Sequence, residues 1–231
     1  MTLPLPRSRA DAPGGSRTGA GPGPYSPGEE RLHVLSHGAA LVASLVALVW
    51  LATVAALHGD LWRLVGGVAF AASAATLFLA STLYHAATEP LARARLRAFD
   101  HSAIYLLIAG SYTPFTISVL RGPWGWGMFA AVWAMAIAGV VVRTTGIIRL
   151  RGLSTALYLL MGWMCIVGIG PLSRSLTPSQ LHWLIAGGLM YTAGVPFYVR
   201  KDRPYTHAVW HLFVIAGVGC HAVAVASLMR A

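Results

Sequence analysis

His207 and His211 lie four residues apart in His207-Ala208-Val209-Trp210-His211. On a helix that spacing puts two imidazoles on one face with Cβ atoms ~5–6 Å apart. Two nitrogens so placed reach one metal ion at ~2.0–2.1 Å each. His85, in Ser81-Thr82-Leu83-Tyr84-His85, can add a third nitrogen from another part of the chain. Three protein ligands with a fourth position left to water is the layout of a catalytic zinc site, whereas a structural site closes with four. An H-x-x-x-H pair alone is also compatible with interfacial or hydrogen-bonded core histidines. His85 at matching depth and Asp100 nearby tip the balance towards metal.

Asp100 stands in Phe99-Asp100-His101-Ser102, directly against apolar sequence. An ionisable group near bilayer depth is costly unless it is paired, which marks Asp100 as a functional candidate. The same position also permits an N-cap carboxylate at the start of a helix. Ser81 lies one turn before His85 on the same face. Its hydroxyl can either orient a water or ligand at a metal or bond back to a helix carbonyl. His33, His37 and His101 sit at the same ends of their segments, with no role assigned by spacing. His221 is ten residues beyond His211, ~15 Å along a helix. It is too distant to share an ion, so a buried interhelical hydrogen bond is expected. His58 and His182 fall at the opposite ends and read as interfacial. Tyr84, Tyr105 and Tyr112 fit aromatic packing or an interface belt.

The elements that must position these groups are apolar. The 231 residues are 56% hydrophobic and 10% charged, with mean hydropathy +0.64. A soluble domain carries about 25% charged residues, so this composition specifies a polytopic membrane protein. Seven charge-free stretches run roughly 34–57, 64–87, 102–120, 124–142, 153–172, 181–199 and 207–229. Each is close to the ~20 residues a helix needs to cross the hydrocarbon core. Unbroken spans favour helices over the ~10-residue alternating strands of a barrel. The expected fold is therefore all-α, a seven-transmembrane helix bundle over residues 29–231. Residues 1–28, rich in Pro and Gly, read as a disordered tail that lacks a signal peptide's apolar core. Cys165 and Cys220 lie in apolar stretches and act as small buried hydrophobes.

Thirteen of the 17 basic residues fall in the tail and in the connections after the second, fourth and sixth spans. Arg63, Arg121, Arg174 and Arg230 fall on the other side. The excess of cations belongs on the cytoplasmic side, giving a cytoplasmic N-terminus and an outside C-terminus. The net charge of +10 is thus a topology signal, with anionic lipid head groups as counter-charge. It argues against nucleic acid as a partner. Arginine in large excess over the single lysine fits a GC-rich bacterial genome, and with it a multi-pass protein of the bacterial inner membrane.

Glu29-Glu30 followed by Ser36-His37-Gly38, Ser81-x-x-x-His85, the run from Asp100-His101-Ser102 to Tyr112-Thr113-Pro114-Phe115, and His207-Ala208-Val209-Trp210-His211 together resemble the hemolysin III family. This is the bacterial branch of the progestin and adiponectin receptor superfamily. The likeness covers about residues 29–229, and it departs at His33, where the family commonly has asparagine. The resemblance implies a seven-helix bundle with zinc near the cytoplasmic leaflet, held by His85, His207 and His211. Asp100 would contact the zinc through water and Ser81 would support it. Similarity of the metal motif to membrane ceramidases implies hydrolysis of an amide- or ester-linked membrane lipid. The alternatives are a non-catalytic, zinc-stabilised membrane sensor or regulator and, as the family name suggests, a pore-forming cytolysin. Polar residues crowd one leaflet only, which counts against a pore.

Overall fold

The computed structural model describes residues 25–145, 152–200 and 203–230. Residues 1–24, most of the expected tail, lie outside them. All regular structure among the described residues is helical. Helix α1 (Pro27–Leu57) begins two residues inside that tail, because Ser26 and Glu29 form a capping box and Pro27 fills the first helical position. Such a start satisfies backbone N–H groups that no earlier turn can accept. Helix α2 (Leu61–Ala86) is capped by Asp60, which accepts from the backbone N–H groups of Trp62 and Arg63.

Helix α3 (Pro90–Thr113) starts at Pro90, with Glu89 as its cap, rather than at Ser102. Two expectations change with it. Asp100 sits inside the helix, so the capping alternative passes to Glu89. Arg93, Arg95 and Arg97 ride on the first turns of α3 rather than in a connection. The charges that broke the apolar pattern do not break the helix, because arginine is a good helix former. At its far end α3 continues into a π-helical segment, Pro114–Val119. Pro114 has no N–H to offer the preceding turn, and the ladder resumes with wider bonds such as Leu120 N–H to Phe115 O at 3.0 Å.

Helix α4 (Pro123–Thr145) follows. The expected fifth span is broken into helix α5 (Leu153–Gly162), a 3-10 turn at Trp163–Ile166 and helix α6 (Ile169–Ser175), with a bend of 53°. Tyr112 holds the break: its hydroxyl donates to Gly162 O and accepts from Cys165 N–H, both at 2.8 Å. Helix α7 (Pro178–Val199) starts with a second capping box, Thr177 with Gln180. Helix α8 (Thr206–Arg230) closes the bundle.

Five helices (α1, α2, α3 with its π extension, α4 and α8) are long and apolar enough to cross a membrane, six if the bent α5–α6 pair counts as one. Of their most apolar stretches, 61% in α2 and 67% in α3 is buried, against 22% in α1 and 28% in α4. The middle pair is therefore the axis of the bundle. Leu35, Val46, Val49 and Leu57 of α1 stay exposed, as expected of surfaces that face lipid rather than water.

Small residues let the helices approach. A Cβ at Gly110 would lie 2.0 Å from Ser73 Oγ and 3.0 Å from the Ala69 carbonyl, so α2 and α3 meet backbone to backbone there. Gly110→Ala should cost about 1–3 kcal/mol by overpacking, read as a lower Tm in detergent. Adding Ser73→Gly should recover most of that loss; no recovery would show that the contact does not set the packing.

Candidate metal centre

Two helices bring the expected triad together. His85 stands in the last turn of α2, while His207 and His211 occupy the first turns of α8. Ring centroids are 4.8 Å apart for His207–His211, 5.3 Å for His85–His207 and 5.1 Å for His85–His211. One ring nitrogen from each residue lies within 4.8 Å of the others. A tetrahedral ion with bonds of 2.0–2.1 Å wants donors about 3.3 Å apart. Small side-chain rotations close that gap.

Glu30 sets the orientation of His85. The imidazole Nδ1–H donates to Glu30 Oε2 at 2.7 Å, across α2 and α1. The other nitrogen, Nε2, is buried without a hydrogen-bond partner among the described residues. A histidine whose N–H is fixed by a carboxylate presents its remaining lone pair, the usual arrangement at a metal. Glu30 is itself held: Arg93 donates through Nη2 to Oε1, and through Nη1 to Ala87 O at 3.0 Å. Arg93 also lies over the Tyr84 ring at 4.9 Å, which assigns Tyr84 to packing at this end of the bundle. The donor set suits a divalent ion of intermediate softness, and the unsatisfied Nε2 of His85 is what such an ion would complete.

Helix α1 adds two imidazoles to which spacing assigned no role. His37 stacks on His211 at 3.6 Å with the rings 8° from parallel. His33 lies 4.3 Å from His85, 5.0 Å from His207 and 4.8 Å from His211. The signal was present: Glu30, His33 and His37 follow the i, i+3 and i, i+4 pattern that singled out His207 and His211. Tyr25, just before the α1 cap, covers the cluster. Its ring stacks on His207 at 5.0 Å and meets His33 edge-on at 4.9 Å. Burial, then the neighbouring Tyr84 and Glu30, push its hydroxyl above the usual range, so the ring stays neutral.

Asp100 and Ser81 line the same cavity as His207 and His211. Asp100 Oδ2 lies 3.4 Å from His101 Nδ1. That nitrogen sits 2.9 Å from the Arg97 carbonyl, to which its N–H donates. Ser81 is buried, and its hydroxyl has no hydrogen-bond partner among the described residues, so the carbonyl-bonded alternative is not adopted. The cavity encloses about 1540 Å³, counting the space open at its mouth. Its walls are predominantly apolar, with Leu107, Leu172, Ile185 and Val214 among them, and Ser111, Thr192 and His221 add polar groups away from the cluster.

The other residues fall where their chemistry places them. His221 Nε2–H donates to Leu184 O of α7 at 3.2 Å, the expected interhelical bond. His58 and His182 are exposed. Tyr105 is buried against Gly139, a packing role. Cys165 and Cys220 are unpaired with each other and half-buried.

The family model described as Haemolysin-III related matches residues 25–222. Hemolysin-3 of Bacillus cereus is 40% identical over 189 residues, covering 82% of this chain and 86% of that protein. The Hemolysin-3 homolog of Bacillus subtilis (strain 168) is also 40% identical, covering 82% and 89%. Monocyte to macrophage differentiation factor of Homo sapiens is 28% identical over 188 residues, covering 78% and 76%. The family match takes in Tyr25, the α1 motif, the triad, Asp100 and the whole cavity wall, and with these apolar helices it makes the chain a multi-pass membrane member of the Haemolysin-III related family.

Proposed function

We propose that the chain is a zinc-dependent hydrolase of amide- or ester-linked membrane lipids, with zinc held by His85, His207 and His211. The observation that carries this reading is three converging imidazoles, two of which, His207 and His211, line an apolar cavity together with Asp100 and Ser81. A zinc ion bound there would polarise a carbonyl and make water acidic near neutral pH. Asp100 would take the proton of the attacking water and return it to the amine or alcohol that leaves. Ser81, with its hydroxyl otherwise unsatisfied, would donate to the substrate head. The apolar wall would take the acyl chain and exclude bulk water, which strengthens every charge interaction at the head. An ion path would need polar groups along its length, and the wall beyond the cluster supplies few.

In this reading the bent α5–α6 pair and α7 complete seven crossings, and the cluster lies in the cytoplasmic leaflet of the bacterial inner membrane. The cation excess on that side supports the orientation.

Two substitutions test the reading. His207→Ala and His211→Ala should each weaken zinc binding by more than the ~10–100-fold seen when only a supporting residue is lost. The measure is metal content and affinity of folded protein in detergent, and unaltered binding would remove the triad as a site. Asp100→Asn should slow lipid-amide or lipid-ester cleavage about 10²–10⁴-fold with zinc retained. Failure of the unaltered protein to cleave any N-acyl or O-acyl lipid would sink the hydrolase reading.

A further inference from the structure

His33 is fully enclosed, and neither of its ring nitrogens has a hydrogen-bond partner among the described residues. Each such buried polar atom is destabilising unless something satisfies it. Its neighbours are rings: His85, His211, Tyr25 and His207 at 4.3, 4.8, 4.9 and 5.0 Å. Its Nδ1 lies 3.5 Å from Glu30 Oε2, at the outer limit of hydrogen-bond range and without the geometry of one. The same oxygen is 2.7 Å from His85 Nδ1. A carboxylate oxygen and two imidazole nitrogens thus converge within 4.8 Å of one another, on the face of His85 that already bonds Glu30.

We propose that Glu30, His33 and His85 form a second divalent-cation position beside the triad, with His85 shared between the two. A tetrahedral ion with nitrogen and oxygen ligands at about 2.0–2.2 Å wants donors about 3.3 Å apart. The His33–Glu30 pair already has that spacing, and the His85–Glu30 pair must open by roughly half an ångström. The cation takes the place of the proton between Glu30 and His85. Loading the position while the triad is filled therefore releases the Nδ1 proton to solvent; with the triad empty the proton moves to Nε2. With both positions filled, His85 bridges as an imidazolate, Nδ1 on one ion and Nε2 on the other. Its negative charge and that of Glu30 offset the second cation, while Arg93 stays on Glu30 Oε1. Two nitrogens and one oxygen select a zinc-like ion over magnesium or calcium, which prefer all-oxygen sites. The proposal does not depend on hydrolysis; it touches that reading only through the shared His85.

The test is zinc content of the full-length chain, purified in detergent and equilibrated with zinc. It compares the unaltered protein, His33→Ala, and the double variant His207→Ala with His211→Ala. About two equivalents are expected in the unaltered protein and about one in each variant. One equivalent that survives His33→Ala and disappears in the double variant overturns the second position and leaves the triad. One equivalent lost in His33→Ala and kept in the double variant overturns the triad and leaves the second position. Zinc absent from every form overturns both, and two equivalents unchanged by His33→Ala overturn the assignment to His33. Should His33→Ala fail to fold, zinc-edge anomalous scattering from the unaltered protein decides. Two peaks flanking His85 support the proposal, and a single peak among His85, His207 and His211 overturns it.

Discussion

An imidazole inside an apolar bundle has two nitrogens to satisfy, and water is not there to do it. That constraint governs the polar end of this protein. Five imidazoles from α1, α2 and α8 crowd together, and the helices supply few ordinary acceptors for them. Glu30 serves His85 and the Ser36 hydroxyl stands 3.5 Å from His211 Nδ1, while the rings face one another across short gaps. Neutral rings tolerate this; protonated rings in contact would repel. A cluster of this composition is organised to meet cations, and its surroundings follow from that. Arg93 fixes the one carboxylate, Tyr25 covers the rings, and Ser81 is left with its hydroxyl unspent.

Much of this was readable from residue order. The triad spacing, the apolar stretches and the interhelical role of His221 all follow from the 1.5 Å rise and the 3.6-residue turn of a helix. What was not readable depends on tertiary packing. Charge marked Ser102 as the beginning of a helix that in fact starts at Pro90, because arginines do not interrupt helical hydrogen bonds. Pro171 marks the apolar run 153–172 for a kink but does not reveal the break at 163–168. Its cause is Tyr112, fifty residues earlier in the chain, whose hydroxyl takes over a carbonyl and an N–H at the bend. His33 and His37 had the right spacing, but only the docking of α1 against α2 and α8 shows what the spacing is for.

The bundle separates its tasks by depth. Glycine and alanine contacts such as Gly110 against Ser73 hold the axis of α2 and α3 tight. The bent α5–α6 pair and α7 wall the cavity from the other side, and α7 packs closely on α8 through Gly187, Gly194 and Gly217. A rigid half thus carries His85, and α1 and α8 bring the remaining rings to it. The α5–α6 side shapes the chamber and contains Gly162 and Gly168, residues that tolerate backbone rearrangement.

Tyr25 leads straight from the amino-terminal tail to the ring that covers His207. An oligohistidine affinity tag fused at the amino end joins the chain at the end on which Tyr25 lies and adds imidazoles that compete for the same cations. The opposite end of α8 lies ~35 Å away by helical rise. A purification handle at the carboxyl end keeps foreign ligands off the native ones, and stoichiometries measured on such protein report on the chain alone.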